Sequence, residues 1–521
     1  MRAINQVFSI FFILVLTSIC QAQVYEPVRI ELSGHIESPT YHLENLGADG
    51  ALVFYESNEI DENLKRRWYF SMLDSTLTEQ WVQIVPISDG MSVHTSTAIN
   101  GSVVILFTNE GSRSKSQSTN YEILTYKNKL KKFNLLGGTV PEKAEISGFC
   151  ANESTAFMSV NLPKTPPDLL IFNLEKGGLH PLAHNLEGEI TVKQTAIIRQ
   201  GMFFTSTLEQ ITEKKKLTYH FIITDRLGNK IRQFEWNDLQ NRRLHAIAFD
   251  YDPKSDGFLV NGSYGFDKPK KDSRREEIED EEEAEGLFYL KFPTNGIQID
   301  NFVPFSDFKD ISSALVSEEL MLFRQQQARS ESENVKPDIG FRLFHPVIVQ
   351  FEGLNIFTAE AFRPKYRLET RVEYDIYGRP IPYTYSVFEG YHFYTSILAA
   401  FDSSGKLAWS GNFKIPETVS LFLQPHTLVH PDSTALLVCL TKNGLIYSSV
   451  YDKTGTEIGG LEQTKLVSDF ANDRLLEEAF TSISYWYDDF YLASGTQKIA
   501  NNKLRDNNPR TIYYLNKIGF R

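Results

Sequence analysis

Six residues in one short stretch carry the strongest binding chemistry of this chain. They are Arg371, Tyr374, Tyr377, Arg379, Tyr383 and Tyr385, within YRLETRVEYDIYGRPIPYTYSVFEGYHFY at 366–394. Phenol rings offer flat apolar area with a polar tip, and nearby arginines add hydrogen bonding and stacking. Together they suit a sugar face or a protein partner. Arg371–Tyr377 alternates, Gly378–Pro382 has turn composition, and Tyr383–Phe388 alternates back. That pattern predicts a hairpin with Tyr383 and Tyr385 on one face, and with Val372, Tyr374 and Ile376 also sharing a face. The competing use of such rings is to cover the protein's own rim.

Other candidate chemistry is weaker. Asp250, Asp252 and Asp256 precede Gly257 in an oxygen-rich stretch of the kind that can hold calcium. The third acid falls at position seven instead of five and no glutamate closes the loop, so a plain turn explains Asp, Pro and Gly better. His426 and His430 are four apart, as are His180 and His184, but prolines in or beside both pairs exclude a shared helical face. No Gly-x-Ser-x-Gly, His-Glu-x-x-His or phosphate loop is present. Carboxylates are plentiful, and nothing singles out a glycosidase-type pair. No catalytic residue, metal site or cofactor is assigned.

The elements that must position these residues follow from the whole chain. Arg2 and the apolar run Val7–Ile19 have the form of a signal peptide, with Ala22 at the residue before cleavage. Acylation at Cys20 is disfavoured by the bulky Ile19 before it. The mature chain, 23–521, is therefore expected to be exported, periplasmic or extracellular, without a membrane span. Its two cysteines, Cys150 and Cys439, are too few for a disulfide scaffold or a zinc site and read as buried apolar residues. A net charge of −13 argues against nucleic acid. Part of that charge is the block at 268–285, expected to be a solvated loop inserted in the fold.

The organising unit is a hairpin turn. Asp225-Arg-Leu-Gly228, Asp402-Ser-Ser-Gly405 and Asp452-Lys-Thr-Gly455 recur between alternating apolar runs. An aspartate opening such a turn bonds backbone N–H groups ahead of it, and the glycine takes positive φ. Degenerate copies pair Trp68–Leu73 with Glu79–Val85, Tyr121–Tyr126 with Leu130–Leu135, Asp168–Asn173 with Leu179–Ala183, and Leu287–Phe292 with Ile297–Val303. The turns fall near 75, 128, 175, 226, 294, 403, 453 and 517, mostly about 50 residues apart, with two strand-like runs before each hairpin.

Four strands per period resembles the blade of a β-propeller, and the resemblance is to that architecture alone, not to a named family. The Gly-His and Trp-Asp pairs of WD40 repeats are absent. Phe401–Trp409 is similar to the Asp-box of sialidase-type propellers, but Asp402 and Gly405 are one residue too far apart. The expected fold is thus all-β, a single propeller domain of eight blades, with seven as the alternative. Val28–Leu32 should pair beside Thr511–Ile518 and close the ring. A helix is expected at 310–331, a shorter one within Leu466–Ala479, and the Tyr-rich hairpin as an insertion at 362–393. The functional expectation is an exported, monomeric, non-catalytic module binding a protein or glycan. The alternatives are a polysaccharide hydrolase or lyase with an acidic or histidine-containing funnel site, and a structural protein of the cell envelope.

Overall fold

At each Asp-x-x-Gly word the backbone closes on itself. Asp402 N–H donates to Lys406 O and Gly405 N–H to Asp402 O, each at 3.0 Å. The Asp402 carboxylate accepts from the N–H groups of Ser404 and Lys406. The turns at Asp225 and Asp452 repeat this chemistry. So does Asp74-Ser-Thr-Leu77, where Leu77 occupies the glycine position at φ +61°. Each of these turns reverses the chain between the third and fourth strands of a sheet.

The computed structural model describes residues 28–520 except 39, 110–117, 213–215, 238, 239, 241, 267–282, 295, 296, 334–338, 375, 502 and 504–507. The signal-peptide expectation at 1–22 and most of the charged insertion, 268–282, lie outside the described residues. The described chain forms eight four-stranded antiparallel sheets, each joining strands consecutive in sequence except the last. They fall into two compact units.

The first unit holds three sheets. One joins β2 (His42–Asn45), β3 (Ala51–Ile60), β4 (Lys65–Leu73) and β5 (Glu79–Ser88). In the last sheet, β1 (Val28–Ser33) lies beside β32 (Arg510–Gly519), followed by β31 (Phe490–Ala500) and β30 (Arg474–Tyr487). Between them in sequence, β26 (Thr427–Pro431), β27 (Leu436–Lys442), β28 (Leu445–Tyr451) and β29 (Glu457–Lys465) make the third.

The second unit holds five sheets. These are β6 (Ser92–Ile99), β7 (Ser102–Thr108), β8 (Thr119–Lys127) and β9 (Lys132–Val140); then β10 (Glu145–Ala151), β11 (Thr155–Leu162), β12 (Thr165–Asn173) and β13 (Gly178–Pro181). Next come β14 (Glu189–Ile198), β15 (Phe203–Ile211), β16 (Leu217–Asp225) and β17 (Lys230–Asn237). The fourth is β18 (Arg242–Asp252), β19 (Gly257–Phe266), β20 (Gly286–Pro293) and β21 (Ile299–Pro304). The fifth is β22 (Arg342–Phe351), β23 (Leu354–Tyr374), β24 (Pro380–Phe401) and β25 (Leu407–Ser420).

The core of the second unit lies between successive sheets. Leu259 and Tyr289 meet Phe357 and Phe401, and Phe221 and Ile223 meet Val260 and Leu290. Cys150 is buried among Phe157, Ile171 and Phe204, and Cys439 among Ile446, Ile483 and Tyr514 of the first unit; burial pushes both thiols up. First strands pack side by side, β10 beside β14, β14 beside β18, and β18 beside β22. Sheets stacked face to face with their first strands adjacent make a propeller-like arrangement.

Turns also tie one sheet to the next. Asn152 Nδ2 donates to Arg226 O at 2.9 Å, and Asn301 Nδ2 to Gly405 O at 2.7 Å. In the first unit Tyr487 Oη and Lys517 Nζ both donate to Ser75 O.

The expected pairing of the N-terminal strand is present: Val28 faces Lys517 and Ser33 faces Ile512. Arg29 anchors it, donating to Glu31, Val467 O, Asn516 and Gln497 at 2.9–3.0 Å. Three expectations need correction. No turn forms at 517, because β32 runs through it and the fourth strand comes from the N-terminal side. Leu466–Ala479 forms no helix; residues from Arg474 onward are strand, paired with β31. The helix expected at 310–331 is broken: a 3₁₀ turn, Ile311–Ala314, precedes α1 (Ser317–Glu333). Ile311 and Ala314 are buried in the sheet-side core, with Leu315, Val316 and Phe323 partly covered against it, so the apolar stripe follows two elements.

Candidate functional site

The Tyr-rich segment is a direct continuation of a core hairpin. β23 and β24 are the second and third strands of their sheet, and both run on past its edge. β22 ends its contact at Arg342 opposite Phe362, and β25 at Ser420 opposite Tyr391. From Lys365 and Gly390 outward, β23 and β24 pair only with each other. Tyr366–Tyr374 reaches about 30 Å at ~3.3 Å per residue. The sequence suggests a separate short hairpin; uninterrupted extended residues from Leu354 to Tyr374 make one long strand instead.

Register sorts the six predicted residues. Arg371 faces Tyr383 and Glu369 faces Tyr385, so these four share one side with Arg367, Glu373, Ile381 and Val387. Tyr383 and Tyr385 are stacked, with centroids 6.1 Å apart. Tyr385 Oη donates to Glu369 Oε2 at 2.9 Å. Tyr374 lies on the opposite side, in line with Leu368, Thr370 and Val372. Tyr377 and Arg379 lie at the tip, the guanidinium 5.2 Å above the ring. The structure thus brings Arg371, Tyr383 and Tyr385 together and separates them from Tyr374. Tyr374, Tyr377 and Tyr383 are 71%, 76% and 58% exposed, so these rings do not cover the protein's own side.

Where the ribbon leaves its sheet lies a cavity that was not anticipated. Its volume is about 330 Å³. Its lining mixes Lys193, Arg243, His245, Arg342 and Ser263 with Phe341, Leu343, Phe344, Phe362, Leu423 and Ala284. The positioning device is a β-bulge. All five first strands of this unit are bulged, at His94 in β6, Ser147 in β10, Lys193 in β14, Ala246-Ile247 in β18 and His345-Pro346 in β22. A bulge re-aims the side chains on either side of it. Here Lys193 is itself the bulged residue and His245 borders the next bulge. Arg243 and His245 share a face of β18, with Ser263 directly opposite His245. One signal for this site was available in the sequence: basic residues recur early in the first strand of three consecutive units.

The acidic turn at Asp250–Gly257 is filled by the protein's own groups. Asp252 accepts from Lys291 Nζ and Ser255 Oγ; these bonds outweigh burial and hold its carboxyl down at about 2. Asp256 accepts from Tyr251 Oη and from Thr294 Oγ1. Among the described residues no three His, Cys, Asp or Glu gather as metal ligands. No helix among them is long and apolar enough to cross a membrane. His430 is stacked on Tyr485 at 4.0 Å and His426 is buried, so neither faces an open site.

No family model matches the chain, and no curated protein does. Among solved structures it overlays loosely on one from a study of two prolyl endopeptidases, with 10% identity and a TM-score of 0.39. That overlay covers 89% of this chain and 54% of the other, so the chain spans about half the length of that protein. The polysaccharide lyase Uly1 overlays at 9% identity and TM-score 0.36, covering 83% of this chain and 89% of the lyase. A eukaryotic initiation factor does so at 8% and 0.40, covering 92% and 91%. Overlays this loose carry no residue role and no activity to this chain.

Proposed function

We propose that the chain is an exported binding module, a closed eight-bladed propeller released by cleavage after Ala22, whose ribbon captures a protein partner. The observation that carries this reading is the ribbon itself. It presents Arg371, Tyr383 and Tyr385 on one side and Leu368, Val372 and Tyr374 on the other, and among the described residues no third strand runs along either edge beyond Lys365 and Gly390. A two-stranded ribbon alone in water is marginally stable, and open strand edges favour a polypeptide that adds to them. A glycan stacking on the rings is the competing occupant. Within the cavity at the ribbon's foot, the polysaccharide-enzyme reading would have to use His245, since no Asp or Glu is among the described residues that line it.

The test is site-specific photocrosslinking in the native host, with the photoreactive residue at 383, 385 or, as a control, Thr139 on another sheet. Protein adducts at 383 and 385 that disappear with Arg371→Ala support the reading. A glycan-array signal without protein adducts assigns the ribbon to sugar. Adducts no stronger than at the control position refute it.

A further inference from the structure

The cavity at the foot of the ribbon has a composition that the ribbon's role does not use. The chain as a whole is acidic, at −13, yet this cavity draws its charged lining from Lys193, Arg243 and Arg342, with His245 beside them. Two of these cations have carboxylate partners. Glu209 Oε1 is 3.3 Å from Lys193 Nζ, and Glu283 Oε1 is 3.7 Å from Arg342. Glu360 is buried on β23 opposite Phe344. Ser263 is fully buried, lines the cavity, and its Oγ has no hydrogen-bond partner among the described residues. A buried hydroxyl left without a partner is destabilising, and a polar ligand atom at this wall would relieve that.

We propose that this cavity binds a small organic carboxylate carried on a ring with an apolar face, a sugar acid in chemical type. The N–H groups of Arg243, Arg342 and Lys193 receive the carboxylate, and Ser263 takes a neighbouring hydroxyl. Phe344 and Phe362, which lie on one side of the sheet, provide the apolar wall against which the ring's C–H face lies. The volume matches one small ring compound, at the lower end of the range for ligand cavities. A bare inorganic anion would leave the apolar wall unused, and a cationic ligand would meet the charged wall unfavourably. The site does not depend on what the ribbon binds.

Isothermal titration of the whole exported chain with sodium glucuronate, glucose and sodium sulfate, at matched ionic strength, tests this. Glucuronate should bind, and glucose and sulfate should bind at least about tenfold more weakly. Ser263→Ala and Arg243→Gln should each weaken glucuronate roughly tenfold. Because Arg243→Gln also alters a structural neighbourhood, its melting curve is recorded, and Ser263→Ala carries the conclusion if that variant unfolds. The proposal falls if glucuronate gives no heat, if glucose or sulfate binds as tightly, or if Ser263→Ala leaves the affinity unchanged.

Discussion

Substituting Gly405 by alanine separates two roles that one glycine plays in the repeated turn. Its φ is +81°, and a Cβ there would stand 2.7 Å from Tyr289 Cδ1 and 3.2 Å from Ile299 Cγ2 on the preceding sheet. Tyr289 is fully buried and packed on Phe401, so the ring has nowhere to retreat. Gly353, in the turn between β22 and β23, has the same φ of +81° and nothing within 4 Å of its would-be Cβ. Gly353→Ala should therefore cost only the left-handed backbone term, about 1–2 kcal/mol, partly offset by the less flexible unfolded chain. Gly405→Ala should cost about 1–3 kcal/mol more, the usual range for forcing a methyl into a packed interface. Both glycines belong to the same unit, so one fluorescence-detected urea transition reports both. Asn301→Ala, which removes the donor to Gly405 O, should be non-additive with Gly405→Ala because both act on one contact. Equal midpoints for Gly405→Ala and Gly353→Ala would refute the argument, leaving the turn glycine as a matter of φ alone.

Two further outcomes follow from the first unit. Arg29→Ala leaves the Glu31 carboxylate, itself nearly buried, with Arg510 as its remaining ion-pair partner; a loss of about 3 kcal/mol is expected, read as faster amide exchange in β1 and β32 but not in β26–β29. His426 is held neutral by burial, with Lys442 adding to the effect, so its pKa falls from the ordinary 6.5 to about 4. Its contribution is complete above pH 6.5 and is lost as pH falls toward 4. His426→Phe should remove up to about 3 kcal/mol of acid sensitivity over that window, seen as a smaller shift of the urea midpoint between pH 7 and 4.5.

The parts of this fold that were readable from sequence are those with local causes. An aspartate three residues before a glycine dictates a turn by itself, and alternation on either side dictates two strands. The partnership of Val28–Leu32 with Thr511–Ile518 followed because one strand was left over at each end. The bulges of the first strands had no such signature. His94, Ser147, Lys193, Ala246 and His345 share no chemistry, and a bulge is a property of register between strands. Of the cavity, only the basic residues recurring in three consecutive first strands were legible, since Lys193 and Arg342 come together through sheet packing. Of the ribbon, the residues and the facing of Tyr383 with Tyr385 were legible. Its length was not, because Leu354–Tyr374 is extended throughout, and the register shift at Lys365/Tyr366 where the projection begins is a property of pairing between strands.

The ladder between β1 and β32 sets Val28 opposite Lys517, so the first described strand waits for the last described one. A chain threaded out of a ribosome or a translocon must keep Val28–Ser33 unpaired through the synthesis of every other sheet, and its last sheet has the slowest contact to form. Joining Gly519 to Val28 through a tight turn, and opening the chain between β29 and β30, would convert this latch into an ordinary hairpin. Such a circular permutant makes the β1–β32 ladder local, while β30 becomes distant in sequence from β26 and β27, against which it packs. Amide protection should then appear earlier in β1 and β32 during refolding than it does in the natural order.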